Sequence, residues 1–264
     1  MGKVILITGA TSGLGAALAQ HLLNKGHVVY GTSRKESGEK EGIHILKMDV
    51  GDRSAVLAGV ASIIESHGAI DVLINNAGLG IAAPTEEINF EELEMVFKTN
   101  IYGVLNMVHA VLPHMRSKKS GHIINISSIG SEIGLPFRGL YCASKAAVDK
   151  ITEGLRLEMR KFKIGVTSIQ AGDIQTNINT NRVRPTELSE TYREDFERSY
   201  AVINEEVNHG VHPRVFGPVV DKIMNTKNPK RCYRVGKPLQ RWAPVLKRLL
   251  PTALFDSVLM KDYE

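Results

Sequence analysis

Tyr141 and Lys145 stand four residues apart in Tyr141-Cys142-Ala143-Ser144-Lys145, and residues at that spacing share one face of a helix. An ammonium beside a phenol stabilises the phenolate by opposite charge. A phenol so placed can pass a proton to or from a carbonyl oxygen. The pair alone equally describes a solvated couple on a helix surface. Ser128, thirteen residues upstream of Tyr141, supplies a second hydroxyl able to hydrogen-bond the same oxygen, so that two donors converge on one carbonyl. Ser127 is its neighbour, and the choice between the two serines rests on the spacing to Tyr141.

A second chemistry lies near the N-terminus. The stretch Thr8-Gly9-Ala10-Thr11-Ser12-Gly13-Leu14-Gly15 sits at the turn from an apolar run into a helical pattern. Glycines there permit a tight turn and let a diphosphate approach the backbone, and a helix N-terminus offers unpaired N–H groups and the positive end of its dipole. The glycine spacing is GxxxGxG and no Gly-Lys-Ser/Thr follows, which disfavours a nucleoside triphosphate loop. At the end of the second apolar run, Gly31-Thr32-Ser33-Arg34 has no carboxylate to accept from a ribose 2′-hydroxyl. It has one guanidinium able to pair with a 2′-phosphate, so the sequence favours NADP(H) over NAD(H). A solvated surface arginine is the alternative.

These groups need a frame. Apolar runs at Val4–Ile7, Val28–Tyr30, Ile43–Met48, Asp71–Ile74, His122–Ile126, Ile164–Ile169 and Cys232–Val235 read as seven strands. Helical patterns fall between them: Leu14 to Leu23, a helix capped by Asp52 and running to about Ser66, a long helix opened by Asn89 and Glu92, and Tyr141 to Arg160. Continuously apolar strands separated by helices imply a parallel sheet covered on both faces. The fold class is therefore α/β, a single-domain doubly wound Rossmann fold with strand order 3-2-1-4-5-6-7, spanning 1–264. The rhythm breaks over 173–212, a polar insertion of the kind that lies over the ligand-binding edge of such a sheet.

With these residues in view, the chain resembles the classical short-chain dehydrogenase/reductases over nearly its whole length. Thr8 to Gly15 is similar to their TGxxxGxG cofactor turn, Asp49-Val50 to the pair that contacts adenine, and Asn75-Asn76-Ala77-Gly78 to their NNAG motif. Asn100, Ser128, Tyr141 and Lys145 fall where the family keeps its catalytic tetrad. The resemblance implies that Tyr141 is the general acid or base and that Ser128 orients the substrate oxygen. It implies that Lys145 also binds the nicotinamide ribose and that Asn100 holds a water in a proton relay. After the sixth strand, Gly172, Ile174 and Thr176 keep the family pattern while Ala171 replaces its usual proline, which frees φ and restores an N–H.

The insertion carries Tyr192, Phe196, Tyr200, Val202 and Ile203 among charged residues. The resemblance makes this segment a lid over a sizeable hydrophobic substrate, and the same residues suit plain packing. The C-terminal end resembles the 17β-hydroxysteroid-dehydrogenase-like branch, which includes acyl-dihydroxyacetone-phosphate reductases, through Tyr233-Arg234-Val235-Gly236 and Leu250-Pro251-Thr252-Ala253-Leu254-Phe255-Asp256. That points to steroids, retinoids or long-chain lipid ketones. From Lys227 to Glu264 nine Lys/Arg face three Asp/Glu, within a chain of net charge +5. Trp242, Val245, Leu246, Leu249 and Leu250 with Arg241, Lys247 and Arg248 suit a basic amphipathic helix that packs on the domain, on a partner subunit or on an anionic membrane.

The 264 residues, 43% hydrophobic and 23% charged, can bury a substantial core. The longest apolar run, from Ala55 to Ile64, is broken by Gly59 and Ser62 and falls short of a membrane span. Two cysteines, Cys142 and Cys232, make neither a disulfide framework nor a metal site, and no export signal precedes the first strand. A reducing cytoplasm, a homodimer or homotetramer, and no nucleic-acid partner are expected. The rival readings are a catalytically silent nucleotide sensor or scaffold, whose signature is a broken tetrad, and an epimerase or dehydratase with different glycine spacing. All four tetrad positions are filled.

Overall fold

The computed structural model describes residues 2–176, 179, 181–261 and 263. One eight-stranded sheet runs through it: β1 (Val4–Ile7), β2 (Val28–Ser33), β3 (Gly38–Lys40), β4 (Ile43–Lys47), β5 (Val72–Asn75), β6 (His122–Ser128), β7 (Gly165–Ala171) and β8 (Cys232–Val235). Their order is β3-β4-β2-β1-β5-β6-β7-β8. Every pairing is parallel except β3 with β4. Without β3, this is the expected order. The additional strand corrects the count of seven: Gly38-Glu39-Lys40 is wholly exposed, so no apolar period announces it. It pairs with Ile43–Ile45 through a two-residue turn at Glu41 and Gly42, both at positive φ, the geometry of a tight hairpin.

Alternation explains the continuous apolar runs. Leu6, Leu73, Ile123 and Val166 face α2 (Arg53–His67), α4 (Gly103–Lys118) and α5 (Gly139–Met159), where Ile63, Met107, Val111 and Val148 bury against them. Ile5, Ile7, Ile74 and Ile169 face the other way, toward α1 (Gly13–Asn24) and α7 (Gly217–Met224), and meet Leu18, Leu22, Phe216 and Val220. Each such side chain contributes about 1.5–3 kcal/mol by leaving water. Neither face can turn to solvent.

The long helix expected after Asn89 forms in three pieces. Asn89 accepts from the N–H groups of Glu91 and Glu92 at 2.8 and 3.3 Å and opens α3 (Phe90–Phe97). A single wide π-turn, Lys98–Tyr102, then leads into α4. Such turns widen a helix where a side chain must be aimed inward, and Asn100 lies within this one. The polar insertion contains a 19-residue helix, α6 (Glu190–Asn208), whose Phe196, Ile203 and Val207 are buried. The tail folds into α8 (Pro238–Leu249) and α9 (Thr252–Met260). Leu246 of α8, Leu250 between the two helices, and Phe255 and Leu259 of α9 pack on Ile129, Ile133 and Leu135, so part of the amphipathic stripe docks on the domain. Trp242 and Leu249 remain exposed. No helix among the described residues is long and apolar enough to cross a membrane.

Candidate functional site

The C-terminal ends of the strands open into a cavity of about 810 Å³. Its nucleotide half is built around a glycine turn that the side chains of Thr8 and Asn76 brace. At the end of β1 the chain turns at Gly9, whose φ of 67° suits a residue without Cβ. Thr8 Oγ1 accepts from the N–H groups of Asn76 and Ala77, both at 2.9 Å, and the Asn76 amide donates to Thr8 O at 2.9 Å and Gly9 O at 3.2 Å. Gly15 closes this lattice, because a Cβ there would stand 2.2 Å from Gly9 O. Ser12 precedes α1 without a side-chain cap, and no acidic residue occupies the first turn. The leading N–H groups and the positive helix end are thus left for an anion. Thr11, Ser12, Gly13 and Leu14 line the cavity.

The remaining sequence-derived cofactor residues arrive from four other loops. Arg34 follows β2, exposed and on the cavity wall. Asp49 and Val50 follow β4, with Asp49 Oδ1 accepting from Gly51 N at 2.8 Å and Asn106 donating to Val50 O at 2.9 Å. Gly78 stands between Asn100 and Lys145, so that a Cβ on it would lie 3.3 Å from both Asn100 Oδ1 and Lys145 Nζ. Gly172 donates to Val235 O at 2.7 Å, Ile174 bridges to Val211, and Thr176 lies against Gly13. Ala171 continues β7, paired with both Ser128 and Val235. The family's proline has become a strand residue. Lys35, beside Arg34 and also on the wall, is a second cation that the sequence pattern did not single out, although it is the next residue.

Tyr141 and Lys145 both come from the first turns of α5 and are buried. Lys145 Nζ donates to Ile126 O at 3.1 Å and lies 6.0 Å from the centre of the Tyr141 ring. An ammonium has three protons to place, and no carboxylate pairs with this one among the described residues. Ser127 and Ser128 divide their work. Ser127 Oγ donates to Lys145 O at 3.2 Å, while Ser128 Oγ accepts from Gly130 N at 3.1 Å and has its own proton to give. Asn100 does not line the cavity. Its Oδ1 accepts from Leu79 N at 2.8 Å and its Nδ2 donates to Leu79 O and Ser144 Oγ, both at 3.0 Å, so its amide is spent on fixing the loop after β5 to α5. Burial pushes the Cys142 thiol up and that of Cys232 up to about 11, which leaves neither as a thiolate nucleophile.

The opposite wall comes from α6, α8 and α9: Val202, Ile203, Val207, Leu239, Leu246 and Val258. Polar ties set these helices. Gln240 donates to Asp173 and accepts from Asp173 N and Lys237 N, both at 3.3 Å, and Lys237 pairs with Glu206 at 3.4 Å. Glu132 anchors the far side, pairing with Arg234 at 3.0 Å and Arg248 at 2.8 Å while its carbonyl accepts from Lys247 at 2.8 Å. Apart from the local contact of Lys237 with Gln240, these partners are 31 to 116 residues apart, and sequence reasoning missed them. Arg138 and Arg182, which also reach the cavity, were missed too.

The family model for short chain dehydrogenase matches residues 3–187. The chain is 43% identical to 3-ketodihydrosphingosine reductase of Bacteroides thetaiotaomicron, over 99% of this chain and 98% of that one. It superposes on a short-chain dehydrogenase from Streptomyces avermitilis with a TM-score of 0.80 at 26% identity, covering 98% of this chain and 94% of that one. The closed form of serine dehydrogenase complexed with NADP+ gives 0.74 at 26% identity, with 88% and 94% covered. This chain belongs to the short-chain dehydrogenase/reductase family and is an oxidoreductase.

Proposed function

We propose that this protein is an NADP(H)-dependent reductase, or in reverse an alcohol dehydrogenase, of a long-chain lipid ketone. The observation that carries the reading is the meeting of Ser128, Tyr141 and Lys145 in one cavity whose facing wall is apolar. The likeness to 3-ketodihydrosphingosine reductase supports the choice of a lipid ketone over a steroid or retinoid. The residues fit a nicotinamide dinucleotide. The uncapped α1 N-terminus and the crowded Gly9–Gly15 turn would hold its diphosphate, Asp49 and Val50 its adenine, and Ile174 and Thr176 its nicotinamide end. Arg34 and the absence of a carboxylate from Gly31-Thr32-Ser33-Arg34 favour a 2′-phosphate.

When bound, the nicotinamide supplies the hydride. Tyr141 passes the proton to the substrate oxygen, and Ser128 donates a hydrogen bond to that oxygen. Lys145 holds the ribose hydroxyls and stabilises the phenolate that remains. Asn100 acts at one remove, fixing Leu79 and standing beside Lys145. The helices α6, α8 and α9 exclude water from the carbonyl. Family membership favours a dimer or tetramer, and exposed Tyr102, Leu105 and Leu157 are apolar positions that a partner subunit would cover. Exposed Leu239, Trp242 and Leu249 beside Arg241 form the face by which the tail would rest on an anionic membrane.

The test is titration with NADPH and NADH, then NADPH oxidation against steroid, retinoid and long-chain ketones, 3-ketodihydrosphingosine among them. Preference for NADPH with turnover of a long-chain ketone is expected. Tight binding without turnover of any ketone would favour a silent nucleotide sensor, and failure to bind either nucleotide would overturn the reading.

A further inference from the structure

Two guanidiniums that line the cavity, those of Arg138 and Arg182, are used neither by the ion pairs among the described residues nor by the proton transfer. Arg182 is only 8% exposed. Its segment is pinned to the loop after β5, where Val183 N donates to Gly80 O at 2.9 Å and Ala82 N to Val183 O at 3.0 Å, and Gly80 packs against its side chain. Its Nη1 donates to Asn204 Oδ1 at 3.2 Å, and its guanidinium carbon lies 5.6 Å from the centre of the Tyr200 ring. Arg138, the residue before α5, holds its guanidinium carbon 5.2 Å from the centre of the Tyr141 ring.

Neither arginine has a carboxylate partner among the described residues. The acids on the same cavity wall are otherwise engaged. Asp49 accepts from Gly51, Asp173 is bound by Gln240, and Glu206 by Lys237. Burial, and then the like charge of Arg138, push the Arg182 guanidinium below its usual value, with the Tyr200 and Tyr141 phenols opposing. A buried cation without a counter-ion is costly to hold, and a guanidinium's forked donors match a carboxylate or phosphate.

We propose that Arg182 and Arg138 form an anion-recognition subsite beside Tyr141, so that the ketone taken by this pocket carries a phosphate or carboxylate close to its oxo carbon. Its reference to a ketone rests on the reductase reading; the anion site itself does not. A protonated amine at the same place meets two like charges and is disfavoured.

The experiment is calorimetric titration of the NADPH-loaded protein with three probes of equal chain length: dodecyl phosphate, dodecanoate and dodecylamine. At least one anion is expected to bind about tenfold or more tighter than the amine, a difference of about 1.4 kcal/mol, and the tighter of the two names the class. Arg182→Gln should remove that preference, Arg182→Lys should restore part of it, and Arg138→Gln reports independently should the first variant fold poorly. Amine binding as tight as that of both anions, or an anion preference untouched by both glutamine variants, overturns the subsite. Turnover separates the two readings. Anion binding with no ketone reduced keeps the subsite and removes the reductase, whereas efficient reduction of the amino ketone 3-ketodihydrosphingosine with no anion preference keeps the reductase and removes the subsite.

Discussion

The two halves of the cavity are held by different means. The nucleotide half is a compact lattice in which the side chains of Thr8 and Asn76 bond main-chain groups around the Gly9–Gly15 turn within a few ångströms. The substrate half is a set of helices fixed by side chains reaching across long stretches of sequence, Glu132 to Arg248 and Gln240 to Asp173. A turn so crowded tolerates almost no change in shape. Long-range side-chain ties can be retuned one residue at a time, which suits a family that keeps one cofactor type and varies its substrates.

Tyr141, at the seam between the halves, should give the largest effect. Tyr141→Phe is expected to lower kcat by about 10³-fold, the scale of a lost general acid, while NADPH affinity stays within a few-fold by titration. Retained turnover would remove the assigned role. Next comes a strike at the glycine turn. Gly15→Ala puts a methyl 2.2 Å from Gly9 O and 2.6 Å from Asn76 Nδ2, and should weaken NADPH about 100-fold, near 2.7 kcal/mol. Unchanged affinity would show that the turn yields as readily as the helices opposite.

Arg34→Ala probes the exposed rim of the same half and should be milder. Removing a charge-assisted hydrogen bond at a solvated site corresponds to about tenfold for NADPH, with little change for NADH, and equal changes for both nucleotides would sink the 2′-phosphate assignment. The smallest expected effect belongs to the side-chain half. Burial acts to raise the Glu132 carboxyl, yet the hydrogen bonds from Gln170 and Arg234 and the charges of Arg234 and Arg248 outweigh it and hold the group below its usual value of 4.5. A depressed carboxyl stabilises the fold above 4.5 and loses that contribution as pH falls through the lower folded value. Glu132→Gln should therefore cost about 1 kcal/mol at pH 7, and the gap in Tm from wild type should close in acid. A gap independent of pH would mean that packing, and not charge, holds α8.

The same contrast decides what could be read from the chain. Val4–Ile7 and Val72–Asn75 advertise themselves because both faces are buried, and the Gly9–Gly15 and Tyr141–Lys145 spacings are local, so strand order and the meeting of Ser128, Tyr141 and Lys145 in one cavity were legible. β3 was not, being charged and exposed, and α6 was masked by the polar face that its helix turns to solvent while Phe196 and Ile203 point in. The bonds of the Asn100 side chain with Leu79 and Ser144 were not legible either. That arrangement depends on a π-turn no residue spacing announces. Arg138 stands only three residues before Tyr141, but Arg182 is an ordinary surface residue in the sequence, and only the fold brings it into the same cavity.

The order of the strands has a consequence for how the molecule is made. From β1 outward through β5, β6, β7 and β8 the sheet grows in the order of the chain, so a polypeptide leaving the ribosome adds each new strand to an edge already formed. The glycine turn, Asp49 and Asn76 are all present once the loop after β5 has emerged, whereas α8 and α9 follow more than 150 residues later. The nascent protein thus acquires the parts of its nucleotide cradle before it has walls for a substrate, and a ribosome that stops short of Pro238 releases a chain with an open pocket.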